Sequence, residues 1–245
     1  MKKRLDLILI EEKYCSSRNK AQVHILAGEV FVNGNKECVP SKLIDTNSTI
    51  EMKYLSDIFV SRAGEKLFSA IENFNIDIKD KICIDVGAST GGFTQCLLQA
   101  GAKKVYSVDV GYGQLDYKLR SDSRIVNLEK TNARNLDLST ISDNIDVIVM
   151  DVSFVSITKF DRFFYNFVKD KKKNVFIGLI KPQFELSKEK IGKNGIVRNS
   201  SYRQEAVKKV VGFIKDYYTF VSSPIESPIK GAKGNIEYLI YCKND

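Results

Sequence analysis

The feature that most constrains this fold is a regular alternation of short apolar runs with helical patterns from about residue 61 onward. Five runs of strand length follow one another in the order KICIDVG, KVYSVDVG, SRIVNLE, IDVIVMDVSF and NVFIGLIKP. Apolar strands that alternate with helices form a parallel sheet that is covered on both faces. The last two segments, YTFVSSPIE and NIEYLIYCK, are joined by the stretch KGAKGN and predict an antiparallel closing strand. We therefore expect an α/β domain with a Rossmann-like sheet.

Three helices of this domain can be placed from the sequence. AGEKLFSAIENF precedes the first strand and has amphipathic spacing, and STGGFTQCLLQAGA supplies a loop and a helix after that strand. SYRQEAVKKVVGFIKDY predicts a third helix, which opens on a capping box formed by Ser201 and Gln204.

The first 56 residues follow a different pattern. RLDLILIEEKY and SRNKAQVHILAGEV have helical spacing, and the second would start at Ser16 or Ser17 and end at Gly28. VFVNGNKE predicts a β-hairpin that turns at Asn33 and Gly34, and STIEMKYL predicts another strand. We expect a small α+β domain at residues 1–56, a linker at 57–60 and a larger domain at 61–245.

Composition excludes several classes of protein. The five cysteines form no CxxC pair, and His24 is the single histidine, so a disulfide framework, a zinc site or a histidine-based catalytic triad is disfavoured. No apolar run reaches the roughly 18 residues of a membrane span. Because Glu11 and Glu12 break the N-terminal apolar stretch, we expect no signal peptide. These observations predict a cytoplasmic protein without a metal ion or a membrane partner.

The positive charge is unevenly distributed. The formal net charge is +8, and residues 159–245 hold 18 Lys and Arg against 9 Asp and Glu. A basic face favours a polyanionic partner such as nucleic acid. The alternative is a lysine-rich surface that only keeps the protein soluble.

The segment IDVGASTGGFT lies between the first predicted strand and the following helix. In open α/β sheets a ligand binds over this turn, where Gly87 lets the chain turn and Gly91 and Gly92 would let the ligand approach. Asp85 suits a ligand that carries an ammonium group, and Asp109, at the end of the second strand, suits ribose hydroxyls. S-adenosylmethionine has both groups. The alternative is a tight glycine turn that binds no ligand.

Charged side chains also stand at the ends of the later strands. Lys181 ends the apolar run FIGLI, and Asp151 occupies the matching place in VMDVSF. Strand ends at one edge of a parallel sheet converge on one cleft, so the two are expected to be neighbours that offset each other's burial. Lys66 and Glu237 could reach the same cleft, although the pattern alone favours surface charges for both.

Five separated motifs occur in an order that resembles the TlyA family: SRAGEKL, DVGASTGGFTQCL, VMDVSF, LIKPQFE and SPIKGAKGNIEYL. That family consists of S-adenosylmethionine-dependent ribosomal RNA 2′-O-methyltransferases with a catalytic domain similar to FtsJ. The N-terminal stretch RLDLILIEEKYCSSRNKAQVHILAGEVFVNGN looks like an S4 RNA-binding domain. The resemblance covers nearly the whole chain. Only the linker SDIF departs from the pattern of some members, which leaves linker-dependent coupling of the two domains open.

The resemblance implies methyl transfer to a ribose 2′-hydroxyl of ribosomal RNA, with a cytidine as the acceptor, on RNA or ribosomal subunits. It implies a catalytic tetrad of Lys66, Asp151, Lys181 and Glu237. The cofactor positions that it implies are Asp85, Gly87, Ser89, Gly91 and Asp109. In the S4-like domain, RNA phosphates would be met by Arg4, Arg18 and Lys20.

Other functions stay open at this point. One is a non-catalytic RNA-binding or ribosome-assembly protein that keeps the fold, and another is a membrane-active haemolysin, a name that part of the family carries. An NAD-dependent dehydrogenase is disfavoured because the loop does not have the spacing GxGxxG. The sequence also leaves open whether Lys181 is a general base or only orients the hydroxyl.

Overall fold

A computed structural model describes residues 2–12, 14–15, 18, 21–22, 25, 30–52, 59–168 and 173–244 of the chain. Two compact units are present, Met1–Asp57 and Ile58–Asp245. The linker predicted at 57–60 begins outside the described residues, so its limits stay a prediction. The five cysteines are free thiols. No helix among the described residues is long and apolar enough to cross a membrane.

The N-terminal unit is a small α+β assembly. Its described elements are β1 (Lys2–Arg4), α1 (Leu5–Glu11), β2 (Val30–Val32), β3 (Asn35–Glu37), β4 (Leu43–Asp45) and β5 (Ile50–Met52). The strands β3, β2 and β5 form one antiparallel sheet, and β1 pairs with β4. The predicted hairpin turn is confirmed, because Asn33 and Gly34 both have positive φ, at 50° and 78°.

The core of this unit follows the predicted helical spacing. Leu5, Ile8 and Leu9 of α1 are buried together with Ala21 and Ile25. Ala21 and Ile25 are helical, as the second helical pattern predicts, whereas Ser16, Ser17 and Gly28, which would bound that helix, lie outside the described residues.

The C-terminal unit contains an eight-stranded sheet. Its strands are β6 (Ile82–Val86), β7 (Lys104–Val108), β8 (Ile125–Leu128), β9 (Val147–Met150), β10 (Val175–Ile180), β11 (Phe220–Val221), β12 (Ile225–Glu226) and β13 (Tyr238–Lys243). The strand order is β11-β13-β10-β9-β6-β7-β8, and β12 also pairs with β13. Strands β6 to β10 are parallel, and β13 runs antiparallel beside β10. The predicted Rossmann-like sheet and its antiparallel closing strand are confirmed.

Helices cover both faces of this sheet, and two buried clusters fill the layers. The helices are α2 (Ala63–Phe74), α3 (Gly92–Gln99), α4 (Tyr117–Arg120), α5 (Asp161–Val168), α6 (Pro182–Glu185) and α7 (Ser200–Ile214). Leu67 of α2 and Leu97 of α3 pack on one face, while Phe164 of α5 and Val210 of α7 pack on the other. Full burial of each such side chain contributes about 1.5–3 kcal/mol to the free energy of unfolding. The packing on both faces therefore holds the sheet between its helices.

The start of α7 corrects the predicted capping box. The N-cap is Asn199, whose Oδ1 accepts hydrogen bonds from the backbone N–H of Ser201 at 2.9 Å and from its hydroxyl at 2.7 Å. Asn caps a helix as well as Ser does. The side chain of Asn199 therefore satisfies the free backbone amide at the start of α7, and Ser201 lies inside the helix.

Candidate active site

Strand β10 explains how a lysine comes to lie at a buried position. Five of its six residues are buried, and the chain leaves the strand at Lys181 because Pro182 starts α6. Lys181 is only 9% exposed. Its Nζ lies 2.5 Å from Oδ1 of Asp151, which follows β9, and donates a hydrogen bond to Oγ of Ser153 at 2.9 Å. Lys181 and Asp151, which the sequence predicts to be neighbours at the ends of two strands, are therefore in contact.

The closing strand brings the other two charges to the same edge of the sheet. Tyr238 of β13 is paired with Ile180 of β10, so Glu237 reaches the carboxyl end of the parallel strands. Lys66 of α2 donates to Oε2 of Glu237 at 2.6 Å, and Gln183 donates to Oε1 at 3.2 Å. Both Lys66 and Glu237 are buried, so the interpretation as surface charges that the pattern alone favoured is wrong.

These four side chains form two nearly buried ion pairs around one cavity. The exposed fractions of the side chains are 10% and 14% in the Lys181–Asp151 pair and 10% and 2% in the Lys66–Glu237 pair. Pairing offsets the desolvation of each charge, and loss of one partner would leave an uncompensated buried charge at a cost of about 3–5 kcal/mol. Lys66, Asp151 and Lys181 line a cavity of ≈ 300 Å³, and Glu237 lies behind Lys66.

A second cavity of ≈ 470 Å³ lies beside the glycine loop. It shares four lining residues with the first cavity, namely Gly87, Ser89, Asp151 and Ser153. Gly87 has a φ of +88°, and a Cβ there would lie 2.6 Å from the carbonyl oxygen of Asp151. Only glycine fits this close approach, so the shared wall depends on it.

Asp109 lies in the wall of the larger cavity, at the end of β7 as predicted. Its Oδ2 accepts the backbone N–H of Ser89 at 2.8 Å, and its Oδ1 accepts the N–H of Gly111 at 2.7 Å. The carboxylate therefore fixes the glycine loop and the turn after β7 to each other. Each carboxylate oxygen can accept more than one hydrogen bond, so both oxygens of Asp109 can also accept one from a ligand.

Asp85 is fully buried beneath the glycine loop. Thr94 donates to its Oδ2 at 2.7 Å, while Oδ1 has no hydrogen-bond partner within the described part of the chain. Burial raises the pKa of Asp85 to about 7, the hydrogen bond from Thr94 opposes this rise, and the nearby charge of Asp151 adds to it. A buried carboxyl oxygen without a donor is a site that a cationic or hydrogen-bonding ligand group would stabilise.

The other glycines of the loop are closely surrounded by side chains. A Cβ on Gly91 would lie 2.3 Å from Leu119, and a Cβ on Gly92 would lie 2.2 Å from Oγ of Ser61. Both positions are buried, so packing requires glycine at each of them, and the contact of Gly91 with a cofactor stays a prediction.

Sequence reasoning missed three side chains that hold the charged residues in place. Ser153 contacts Lys181, Gln183 contacts Glu237, and Thr94 contacts Asp85. For two of them the only signal in the sequence is proximity, since Ser153 follows Asp151 by two residues and Gln183 follows Lys181 by two. Thr94 lies nine residues after Asp85 and gives no such signal. Among the residues that the structure describes, no group of three or more His, Cys, Asp or Glu side chains could hold a metal ion.

In the N-terminal unit, the two predicted RNA contacts that can be placed meet at one carboxylate. Asp6 is fully buried, and Arg4 and Arg18 approach its Oδ2 at 2.8 and 3.1 Å. The Arg4 guanidinium holds the pKa of Asp6 well below its usual range. Arg18 keeps about half of its side chain exposed. Lys20 lies outside the described residues.

A mostly parallel sheet with a glycine loop after its first strand and a cavity at the carboxyl ends of its strands defines a Rossmann-like α/β domain. Residues 59–244 match the family described as FtsJ-like methyltransferase, and residues 3–50 match the S4 domain. The chain belongs to the FtsJ-like methyltransferase family. The resemblance and the fold class inferred from the sequence are confirmed.

Two curated relatives are similar to this chain over most of their lengths. Hemolysin A of Brachyspira hyodysenteriae is 47% identical over 240 residues, which cover 97% of this chain and 98% of the relative. The 16S/23S rRNA (cytidine-2′-O)-methyltransferase TlyA of Mycobacterium tuberculosis is 36% identical, with 98% and 89% covered. Among solved structures, a candidate hemolysin from Streptococcus thermophilus superposes with a TM-score of 0.75 at 37% identity, covering 100% of this chain and 89% of that chain.

Proposed function

We propose that this protein transfers a methyl group from S-adenosylmethionine to a ribose 2′-hydroxyl of ribosomal RNA. The observation that carries the proposal is the wall shared by the two cavities, where Asp151 and Ser153 line both and Lys181 contacts each of them. A cofactor in the larger cavity and an acceptor in the smaller one would meet at this wall. Positioning two reactants in this way is the main task in the transfer of an already activated methyl group.

The residues of the larger cavity fit the cofactor. Asp109 can accept hydrogen bonds from ribose hydroxyls, and Gly87 and Ser89 line the cavity beside it. Asp85 lies outside the lining, with one buried carboxyl oxygen that has no partner within the described residues. When bound, S-adenosylmethionine supplies a methyl group activated by its sulfonium. The supporting observation is the carboxylate of Asp109 in the wall of this cavity, which would repel a pyrophosphate.

Lys181 would handle the acceptor hydroxyl. Asp151 and Ser153 hold its Nζ in the smaller cavity, where it would orient a bound 2′-hydroxyl. As the 2′-oxygen attacks the methyl group, its proton would pass to the uncharged amine of Lys181, because only that form has a lone pair to accept it. Lys66 is a second amino group that lines the cavity, and Glu237 fixes its position. The tetrad would therefore work as two lysines, each held in place by its own carboxylate.

The names of two relatives and the N-terminal unit support the choice of substrate. Relatives from Mycobacterium tuberculosis and Campylobacter jejuni are named as cytidine-2′-O-methyltransferases of ribosomal RNA. We infer a cytidine of ribosomal RNA as the acceptor, bound with help from the S4 domain, and a cytoplasmic protein that acts on RNA or on ribosomal subunits. Arg4, Arg18 and Lys20 are the proposed phosphate contacts of that domain.

The proposal is tested with ribosomes from cells that lack the protein. Purified protein and labelled S-adenosylmethionine should add label to their 16S or 23S RNA, and mapping of alkali-resistant positions should identify a 2′-O-methyl group. Ribosomes from cells that contain the protein are the matched control and should accept little label. Label on a base, or none on any ribosomal RNA or subunit, would contradict the proposal.

A further inference from the structure

Two loops, one of which reaches the smaller cavity through Gly231, carry a concentration of positive charge. They comprise residues 192–198 and 230–235, and together we name them the basic double loop. Their charged residues are all cations with exposed side chains, namely Lys193, Arg198, Lys230 and Lys233. Within the described ranges none of the four is in an ion pair, whereas the nearby Lys190 is paired with Glu205 at 2.5 Å. Four cations without counter-charges fit a polyanion such as the phosphates of RNA.

One buried side chain joins the two loops. Asn235 is 3% exposed. Its Oδ1 accepts the backbone N–H of Val197 at 3.0 Å, and its Nδ2 donates to the carbonyl of Gly195 at 2.9 Å. The backbone carbonyl of Asn235 also accepts the N–H of Gly231 at 2.8 Å. Asn235 therefore fixes loop 192–198 to loop 230–235.

The second loop in turn confines a residue of the tetrad. Gly231 lines the smaller cavity, and a Cβ on it would lie 1.9 Å from Oε1 of Glu237. Glu237 follows Asn235 by two residues and holds Nζ of Lys66 at 2.6 Å. A displacement of loop 230–235 would therefore displace the carboxylate that positions Lys66.

We infer that Asn235 is a positioning residue that links RNA bound on the basic double loop to the Lys66–Glu237 pair. The inference rests on the proposed function and adds a binding surface and a coupling to it. RNA phosphates hold the two loops, the two hydrogen bonds of the Asn235 side chain keep them in register, and Glu237 keeps Lys66 in place. Without Asn235, RNA would still bind the cations, but the pair would lose its fixed position.

The binding surface is tested with single substitutions of its cations. Lys193→Ala and Lys233→Ala should each weaken binding to ribosomal RNA, whatever the RNA sequence. Each should also lower, by about 1, the magnitude of the slope of the logarithm of the binding constant against the logarithm of the salt concentration. The matched control is Lys215→Ala, because Lys215 is exposed at the C-terminal end of α7, outside the basic double loop. Unchanged RNA affinity in both loop variants would overturn the assignment of this surface.

The coupling is tested with Asn235→Ala and Asn235→Asp. The rate of methyl transfer in a single turnover with RNA already bound should fall about tenfold in Asn235→Ala, the effect of roughly one hydrogen bond. RNA and S-adenosylmethionine dissociation constants should change by less than about threefold, or roughly 0.7 kcal/mol. Asn235→Asp keeps the acceptor for Val197 but sets a carboxyl oxygen against the carbonyl of Gly195, so it should lose at least as much rate. If the alanine variant does not fold, this second variant should show the same result, a slower methyl transfer with nearly unchanged dissociation constants for RNA and S-adenosylmethionine.

A structural role alone would give a different result. It would lower the melting temperature and weaken cofactor binding together with the rate. A wild-type rate in Asn235→Ala, or a loss of rate that is matched by a loss of cofactor binding, overturns the inference alone. Wild-type protein that methylates no ribosomal RNA overturns the proposed function and this inference together.

Discussion

Ile180 of β10 lies opposite Tyr238 of β13 in an antiparallel register. Because one strand ends where the other begins, Lys181 and Glu237 emerge next to each other at the carboxyl edge of the parallel sheet. Each then binds a partner from another element, Asp151 after β9 and Lys66 on α2. A single strand pairing thus assembles two ion pairs from four distant parts of the chain.

Lys181→Ala should abolish methyl transfer and leave S-adenosylmethionine binding within a few-fold of wild type. The substitution removes the ammonium group that Asp151 and Ser153 hold in the smaller cavity, and Lys181 does not line the larger one. Lys181→Arg should also fail, because a guanidinium does not give up its proton near neutral pH. Transfer is measured with labelled cofactor, and Lys103→Ala, at an exposed position, is the control. Near-normal turnover of Lys181→Ala would remove this residue from the mechanism.

Gly231→Ala should lower methyl transfer by about 100-fold, the effect of displacing a catalytic group by about 1 Å. The new Cβ would overlap the carboxylate of Glu237, which must then leave its place beside Lys66. The matched control is Gly212→Ala in α7, where a Cβ meets nothing within 4 Å. That control should stabilise the protein by about 0.5–1 kcal/mol and leave turnover unchanged. Equal turnover in both variants would show that the Lys66–Glu237 pair is dispensable.

Asp109→Ala should weaken S-adenosylmethionine binding by roughly 5- to 150-fold, which corresponds to about 1–3 kcal/mol for lost charge-assisted hydrogen bonds. The free protein should also melt at a lower temperature, because the carboxylate joins the backbone of Ser89 to that of Gly111. Calorimetry gives the first effect, and melting with and without cofactor separates it from the second. RNA affinity should barely change. An unchanged cofactor dissociation constant in the folded variant would leave Asp109 with a structural role only.

The pKa of Asp85 predicts a pH-dependent stability. The carboxyl titrates at 3.8 in a model compound and at about 7 in the folded protein, so folding favours its protonated form. The free energy of unfolding should therefore fall by roughly 4 kcal/mol as the pH rises between these two values. It should stay low above the upper value. Asp85→Asn should remove this loss, as measured by urea unfolding between pH 5 and pH 8. The control Asp122→Asn should keep it, since ion pairing with Arg124 lowers the pKa of Asp122. A wild-type stability that rises over this range would contradict the assignment.

Removal of residues 1–56 should weaken binding to ribosomal RNA and spare S-adenosylmethionine binding. The cofactor cavity is formed within the C-terminal unit, whereas residues 3–50 match the S4 domain. Filter binding to ribosomal RNA and calorimetry with the cofactor measure the two effects. Full methylation efficiency of the truncated protein on ribosomal substrate would show that the N-terminal unit has another role.

The strand ends were predictable because parallel strands share a direction. Apolar runs fixed the positions of β6, β9 and β10, and the rule for parallel sheets then brought Asp151 and Lys181 together. Glu237 could not be placed by the same rule, because its position depends on the register of an antiparallel pair, and no periodicity in the sequence reports that register. The resemblance to a known family identified it instead.

Other features escaped prediction for local reasons. The helix cap at Asn199 was missed because a nearby Ser–Gln pair offered an equally good capping pattern. The three-residue strands β1 and β4 are too short to show alternation. Asn235 gave no signal at all, because its partners are backbone atoms some 40 residues earlier in the chain.

The contact between Lys66 and Glu237 spans 171 residues of sequence. Since a ribosome makes a chain from its N-terminus, Lys66 exists long before its carboxylate partner does. A product of interrupted translation that stops between the glycine loop and Glu237 would carry the loop but neither Glu237 nor β13. Competence for methyl transfer should therefore arise late and in one step during biosynthesis, when β13 is added to the sheet.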